Sequence, residues 1–138
     1  MKMRWLFILL AWLISLVATF GALFIGEVML MVPCQLCWYQ RIFMFPLAIV
    51  LGIAAFAEDR RGAIYSLVLA LGGGAVALYH SLLIEGWVPK TWVPCGPGPS
   101  CTDQKLVILG NVQIPWLSLA AFVAITALLI TYLRKTRT

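Results

Sequence analysis

Four long apolar runs dominate this 138-residue chain and leave it few ways to fold. The segments 5–26, 63–84 and 112–133 each hold 22 residues with no Asp, Glu, Lys or Arg. As helices rising 1.5 Å per residue, each reaches about 33 Å, enough to cross a hydrocarbon core of about 30 Å. The fourth run, 42–57, has 16 residues, or about 24 Å by the same rule. It spans only if its helix begins upstream, near Cys34, with Arg41 reaching back to the interface. Lipid offers no partner to backbone N–H and C=O groups, so all four runs are read as helices. The expected class is an all-α membrane protein, a four-transmembrane-helix bundle forming one domain over residues 1–138. Its approximate spans are 5–26, 38–57, 63–84 and 112–133, joined on one side by loops 27–37 and 85–111.

Composition agrees. Only 11% of the residues are charged against 63% hydrophobic, where soluble domains average about a quarter charged. The net charge is +5, but the Lys and Arg residues do not cluster on any groove-reading element, so no nucleic-acid partner is expected. They sort by side instead. Seven (Lys2, Arg4, Arg60, Arg61, Arg134, Lys135, Arg137) fall with the termini and the link between the second and third spans. Three (Arg41, Lys90, Lys105) fall on the other side. The positive-inside rule then puts both termini in the cytoplasm and segments 27–41 and 85–111 outside. Lys2 and Arg4 ahead of an apolar run also suit a signal peptide, but the run exceeds the usual 7–15-residue core of one, so a retained helix is expected. Trp38, Tyr39, Trp87 and Trp92 fall near the outer ends, as an aromatic belt does. Pro46 is expected to kink the second span, Gly72-Gly73-Gly74 to allow close packing or a bend in the third, and Pro115 to suit the first turn of the fourth.

All four cysteines fall on the outward side: Cys34 and Cys37 in the first outer segment, Cys95 and Cys101 in the second. Hydropathy does not require this, and an outward location permits stable disulfides. In Pro33-Cys34-Gln35-Leu36-Cys37-Trp38-Tyr39-Gln40-Arg41 the spacing lets a disulfide close at a helix start. Peptide N–H groups there favour an anion and depress a thiol pKa, which makes the thiolate reactive and a good leaving group. On a helix, Cys37 and Arg41 stand about 40° apart, with Cys34 about 60° to the other side. Arg41 then sets a permanent positive charge near the Cys37 sulfur. Cys95-Gly96-Pro97-Gly98-Pro99-Ser100-Cys101 lies in an outer segment of 27 residues, where closure across a Gly/Pro bend is feasible and a soluble thiolate has access. Four cysteines allow three pairings. Two plainer readings compete: structural disulfides, or four thiolates on one zinc ion, although Cys95-x5-Cys101 is wider than the usual finger spacing. His80, about a turn from the outer end of the third span, is either an interfacial hydrogen-bonding residue or an intramembrane group that meets a ligand or a proton. Glu27 and Glu85 read as solvated boundary carboxylates.

These residues resemble the DsbB family of disulfide bond formation proteins, most of all its short BdbC type. The likeness covers the whole chain and rests on Pro33-Cys34-x-x-Cys37-Trp38-Tyr39-Gln40-Arg41 and the short Cys95–Cys101 loop. It implies a quinone-dependent protein disulfide oxidoreductase in the bacterial inner membrane. Its redox pairs would be Cys34–Cys37 and Cys95–Cys101 on the extracytoplasmic side. The electron acceptor would be menaquinone or ubiquinone near Arg41, Cys37 and His80, with no metal. Its partner would be a DsbA- or BdbD-like thioredoxin-fold protein. Some relatives carry Glu where this chain has Gln40. The reverse, vitamin K epoxide reductase type of chemistry is disfavoured because its dithiol lies late in the chain. A transport role is disfavoured because no span carries a charge at its centre.

Overall fold

The computed structural model describes residues 2–28, 35–84, 107–108 and 112–137. Four helices carry the architecture: α1 (Lys2–Leu23), α2 (Gln35–Ala57), α3 (Arg60–Ile84) and α4 (Ile114–Arg137). Each contains a stretch long and apolar enough to cross a membrane: Met3–Leu23, Trp38–Ala57, Arg60–Leu82 and Trp116–Thr136. The all-α, four-helix class expected from the sequence is the one adopted. Two local features were not expected. A π-helical turn, Phe24–Val28, continues α1. Two two-residue strands, β1 (Val107–Ile108) and β2 (Val112–Gln113), pair antiparallel ahead of α4, with Val107 opposite Gln113. The second helix starts at Gln35, next to Cys34 as the short apolar run required, and continues through Pro46.

The helices form a closed ring in which α1 packs on α2, α2 on α3, α3 on α4, and α4 back on α1. What faces inward is marked by spacing and by size. On α3 the buried positions include Ala63, Ser66, Ala70, Gly73, Ala77 and His80, separated by three, four, three, four and three residues. On α2 they include Gln40, Met44, Leu47, Leu51 and Ala54. On α4 they are Phe122, Ile125, Leu129 and Tyr132, and on α1 Ile8, Ala11 and Ser15. Alternating steps of three and four are the seam of left-handed bundle packing. The α3 seam is built of small residues because backbones in lipid associate through close contact rather than by hiding apolar area.

The glycine triplet shows how close. A Cβ on Gly73 would lie 2.3 Å from the Phe122 ring, and one on Gly72 would lie 2.6 Å from Phe43. The aromatic rings of both neighbouring helices therefore rest on bare α3 backbone, which is the close packing expected of the triplet.

The α2–α3 link is a tight reversal. Glu58 takes a left-handed φ of 49°, and the Asp59 N–H donates to the Ala54 carbonyl at 3.1 Å, closing α2 with a six-to-one bond. Asp59 then caps α3, accepting from the N–H of Arg61 at 3.0 Å and of Gly62 at 3.3 Å. The same end of the bundle holds both termini: Trp5 Nε1 donates to the Ala55 carbonyl at 3.0 Å, and Lys135 lies 5.1 Å over the Phe7 ring.

Gly73→Ala is expected to lower the melting temperature of the detergent-solubilised protein, because overpacking costs about 1–3 kcal/mol and outweighs the helix propensity gained. Gly21→Ala, where no atom lies within 4 Å of the added methyl, is expected to leave it level or raise it; equal losses at both sites would reject the packing account.

Candidate functional site

Polar groups inside a membrane bundle need partners, and the way each buried one is satisfied separates packing from function. Ser66 and Ser81 donate to carbonyls one turn back, those of Gly62 at 2.8 Å and Ala77 at 2.9 Å. Ser15 likewise bonds the Trp12 carbonyl at 2.6 Å. These hydroxyls are served by their own helices and ask nothing of the fold.

The end opposite the termini differs. Gln40, 7% exposed, and His80, 2% exposed, meet across the α2–α3 seam with Gln40 Nε2 3.0 Å from His80 Nδ1. Among the described residues Gln40 stands at this end of the buried row of α2 and His80, with the buried Ser81 beside it, at this end of α3, so polar groups meet at one level of the two rows. One residue on, Arg41 turns toward α1 and donates from a terminal guanidinium nitrogen to the Ala22 carbonyl at 2.8 Å. Ala22 sits where α1 gives way to the π turn, and carbonyls at such a place lack a regular partner. The guanidinium also stands 5.4 Å from the centre of the Trp38 ring. Trp38 and Tyr39 are exposed at the start of α2, consistent with interfacial anchors. Three residues before Ala22, about 4.5 Å deeper, the Thr19 hydroxyl is buried with no hydrogen-bond partner among the described residues.

The sequence-predicted site residues fall unevenly on this frame. Arg41 and His80 lie at the same end of the bundle, on adjacent helices. Cys37 is placed by its backbone in the first turn of α2, one turn ahead of Arg41. Cys34, Cys95 and Cys101 lie outside the described residues, and so do both expected disulfides, together with Trp87 and Trp92. Two features escaped the sequence reading. One is the Gln40–His80 pair, which the three-four spacing of small residues on α3 would have signalled by placing His80 inward. The other is the bond from Arg41 to α1, for which the sequence holds no signal.

An apolar groove of about 650 Å³ opens between α1 and α2, lined by Trp12, Ala48, Ile49, Gly52, Ile53, Phe56 and Ala57. Trp12 rests on bare backbone there: a Cβ on Gly52 would meet its Nε1 at 2.8 Å. The groove holds no titratable group and lies about 16 Å along α2 from Arg41, apart from the polar cluster.

Gln40, His80 and Arg41 thus stand beside the start of α2, whose first turn carries Cys37. Comparison with known proteins gives the family. The family model for disulfide bond formation protein DsbB matches residues 3–132. A probable disulfide formation protein of Metapseudomonas resinovorans is 46% identical over 135 residues, covering 97% of this chain and 94% of the relative. Disulfide bond formation protein C of Bacillus subtilis (strain 168) is 40% identical over 127 residues, 91% of each chain. A probable disulfide formation protein of Chlamydia trachomatis is 42% identical over 121 residues, 88% of this chain and 87% of the relative. No solved structure matches the chain. The chain belongs to the DsbB family of disulfide bond formation proteins. It is an integral membrane protein with the disulfide oxidoreductase activity that the family implies.

Thr19→Val is expected to leave the melting temperature of the detergent-solubilised protein unchanged or higher, because it removes a buried hydroxyl with no partner among the described residues at nearly constant shape. A clear loss in differential scanning would mean that the hydroxyl is satisfied in the folded protein.

Proposed function

We propose that this chain is a thiol:quinone oxidoreductase that reoxidises a DsbA- or BdbD-like thioredoxin-fold protein and so supports disulfide formation outside the cytoplasm. The observation that carries the reading is the cluster of Gln40, His80 and Arg41 at the end of the bundle where α2 begins with Cys37. The bias of basic residues toward the other end supports a cytoplasmic location for both termini and an extracytoplasmic one for the cysteines. The membrane is then the bacterial inner membrane, and the chain works as one unit.

The residues present suit a quinone head group. Arg41 is a permanent cation with several donors, His80 offers a ring nitrogen, and the unpartnered Thr19 hydroxyl lies within a turn of their level. Bound there, a menaquinone or ubiquinone supplies a two-electron, two-proton acceptor. The chain's own residues do the thiol chemistry, with Cys34–Cys37 and Cys95–Cys101 as the resting disulfides. A thiolate of the reduced partner attacks Cys95, and Cys101 leaves as a thiolate. Cys101 attacks Cys34, and Cys37 leaves as a thiolate at the start of α2, where peptide N–H groups and the Arg41 charge stabilise it. The partner's second thiol attacks its own sulfur in the mixed disulfide, leaving the partner oxidised and Cys95 free. Cys95 then attacks Cys101, restores Cys95–Cys101 and frees Cys34. Cys34 and Cys37 re-form their disulfide by giving up two electrons, which depart from Cys37. The sum is one dithiol oxidised and one acceptor reduced by two electrons and two protons.

The deciding experiment is oxidation of a reduced thioredoxin-fold protein by the purified chain with added quinone, followed optically. Quinone-dependent turnover is expected; exchange without acceptor dependence would overturn the reading. Cys37→Ser is expected to abolish quinone reduction, and Cys101→Ser to accumulate a partner adduct at Cys95, read by mass spectrometry. An adduct at Cys34 would reverse the order of transfer. Arg41→Met is expected to raise the KM for quinone about tenfold, the scale of a lost charged hydrogen bond; an unchanged KM would confine Arg41 to its structural contact with Ala22.

A further inference from the structure

Between α1 and α2 the outer surface of the bundle is left unfilled. The apolar groove there runs from Ala48 to Ala57 of α2, with Trp12 of α1 facing it. Its α2 wall looks outward: Ile49, Ile53 and Phe56 are 66%, 64% and 69% exposed, in a stretch apolar enough to cross a membrane. Trp12 lies over Gly52 and meets Phe56 edge-on, with ring centres 5.2 Å apart. An empty groove of this size would forfeit dispersion contacts along its lining, so in a bilayer a hydrocarbon chain occupies it.

Length and position decide whose chain it is. Ala48 and Ala57 are nine residues apart, about 13.5 Å along the helix. One leaflet contributes about 15 Å of a hydrocarbon core about 30 Å thick. The groove ends at Ala57, the last residue of α2 and of its span. It therefore covers the depth of one leaflet, on the side that holds the termini. A tail entering from the polar cluster at the other end would first have to pass about 10 Å of α2 between Arg41 and Ala48, outside the groove. A second copy in the same orientation would bring like charges together at the terminus end.

That end is strongly basic. Lys2, Arg4, Arg60, Arg61, Arg134, Lys135 and Arg137 stand against Glu58 and Asp59, and Asp59 is taken up in capping α3. Some of these cations flank the mouth of the groove. Arg4 adjoins Trp5, whose indole bonds the Ala55 carbonyl at 3.0 Å, so the start of α1 is held against the last turn of α2. Arg60 and Arg61 follow Ala57 across the tight reversal and open α3. Basic residues at this level attract anionic lipid. We propose that the groove is a phospholipid site: it seats one acyl chain of an anionic phospholipid from the leaflet on the terminus side, with the lipid phosphate among Arg4, Arg60 and Arg61.

The test uses the full chain reconstituted in phosphatidylcholine bilayers. Increasing amounts of phosphatidylglycerol or phosphatidylcholine with brominated acyl chains are included, because bromine quenches an indole on contact. The chain has six tryptophans, so the Trp12 signal is taken as the difference from Trp12→Phe. Brominated phosphatidylglycerol is expected to quench Trp12 at about one fifth of the mole fraction that brominated phosphatidylcholine needs, the scale of one basic residue at a membrane surface. High salt is expected to narrow that preference, and combined Arg4→Gln, Arg60→Gln and Arg61→Gln to abolish it. Ala57→Phe, whose ring leans back along α2 into the groove, is expected to at least halve quenching by either lipid without lowering the melting temperature. Equal quenching by the two lipids would mean ordinary boundary lipid and overturn the proposal. So would a preference that survives the three arginine substitutions, or quenching that Ala57→Phe leaves intact. Relief of quenching by a long-tailed quinone but not by a tail-less one would give the groove to a quinone tail. Relief on raising the protein-to-lipid ratio would give it to a second copy. Either result would also overturn the proposal.

Discussion

Helices in hydrocarbon gain nothing by hiding apolar side chains from their solvent, because lipid tails are as apolar as the bundle interior. Association must come from close contact, and here that contact is set by the narrow face of α3. Ala63, Ser66, Ala70, Gly73 and Ala77 present little more than backbone, and the rings of Phe43 and Phe122 lie on the two glycines from either side. The consequence at the far end is direct. Because α2 and α3 approach this closely, Gln40 and His80 reach each other at 3.0 Å without a bridging group. A bulkier seam would separate the helices and leave two buried polar side chains without partners, a cost of about 1–3 kcal/mol for each group.

The two ends of the bundle are built from different chemistry. At the end that holds the termini, charges and caps gather: Asp59 closes the turn into α3, and Trp5 bonds a carbonyl of α2. These groups orient and terminate helices. At the other end the polar groups point inward and across helices. Arg41 ties α2 to the end of α1, Gln40 ties α2 to α3, and Thr19 keeps a buried hydroxyl unpaired among the described residues. The buried serines, Ser15, Ser66 and Ser81, are satisfied within their own helices. Side-chain bonds thus join helices at both ends, Trp5 to α2 at one and Arg41 and Gln40 at the other, and the second set stands beside the start of α2, where the Cys-x-x-Cys motif lies in sequence.

Much of this was legible in the order of residues, and the remainder was not for identifiable reasons. A 16-residue apolar run is too short to span, which requires α2 to start ahead of Ile42, and it starts at Gln35. Hydropathy cannot distinguish a four-residue from a five-residue hydrogen-bond step, so the π turn at Phe24–Val28 looked like more of the same helix. Two-residue strands are shorter than any periodic pattern, so the pairing of Val107–Ile108 with Val112–Gln113 left no trace. His80 was placed by depth alone. Its face could have been read from the steps of three and four between small residues, because size, not polarity, marks the inside of a membrane helix. Arg41 stood between an interfacial and a functional reading, and its bond to Ala22 adds a structural role that neither included.

Quantities that run along one chain were settled by the sequence alone: the number and length of the spans, the unequal share of basic residues at their ends, and a dithiol with an arginine one turn on. Each depends on a window of residues and on the dimensions of a bilayer, so no neighbour has to be known. What joins residues distant in sequence belonged to the tertiary structure. Gln40 and His80 are forty positions apart, and Ala22 and Arg41 nineteen. A helix that is apolar on every side carries no polar stripe to declare which way it faces. That choice was left to packing, to whichever faces were small enough to let two backbones meet.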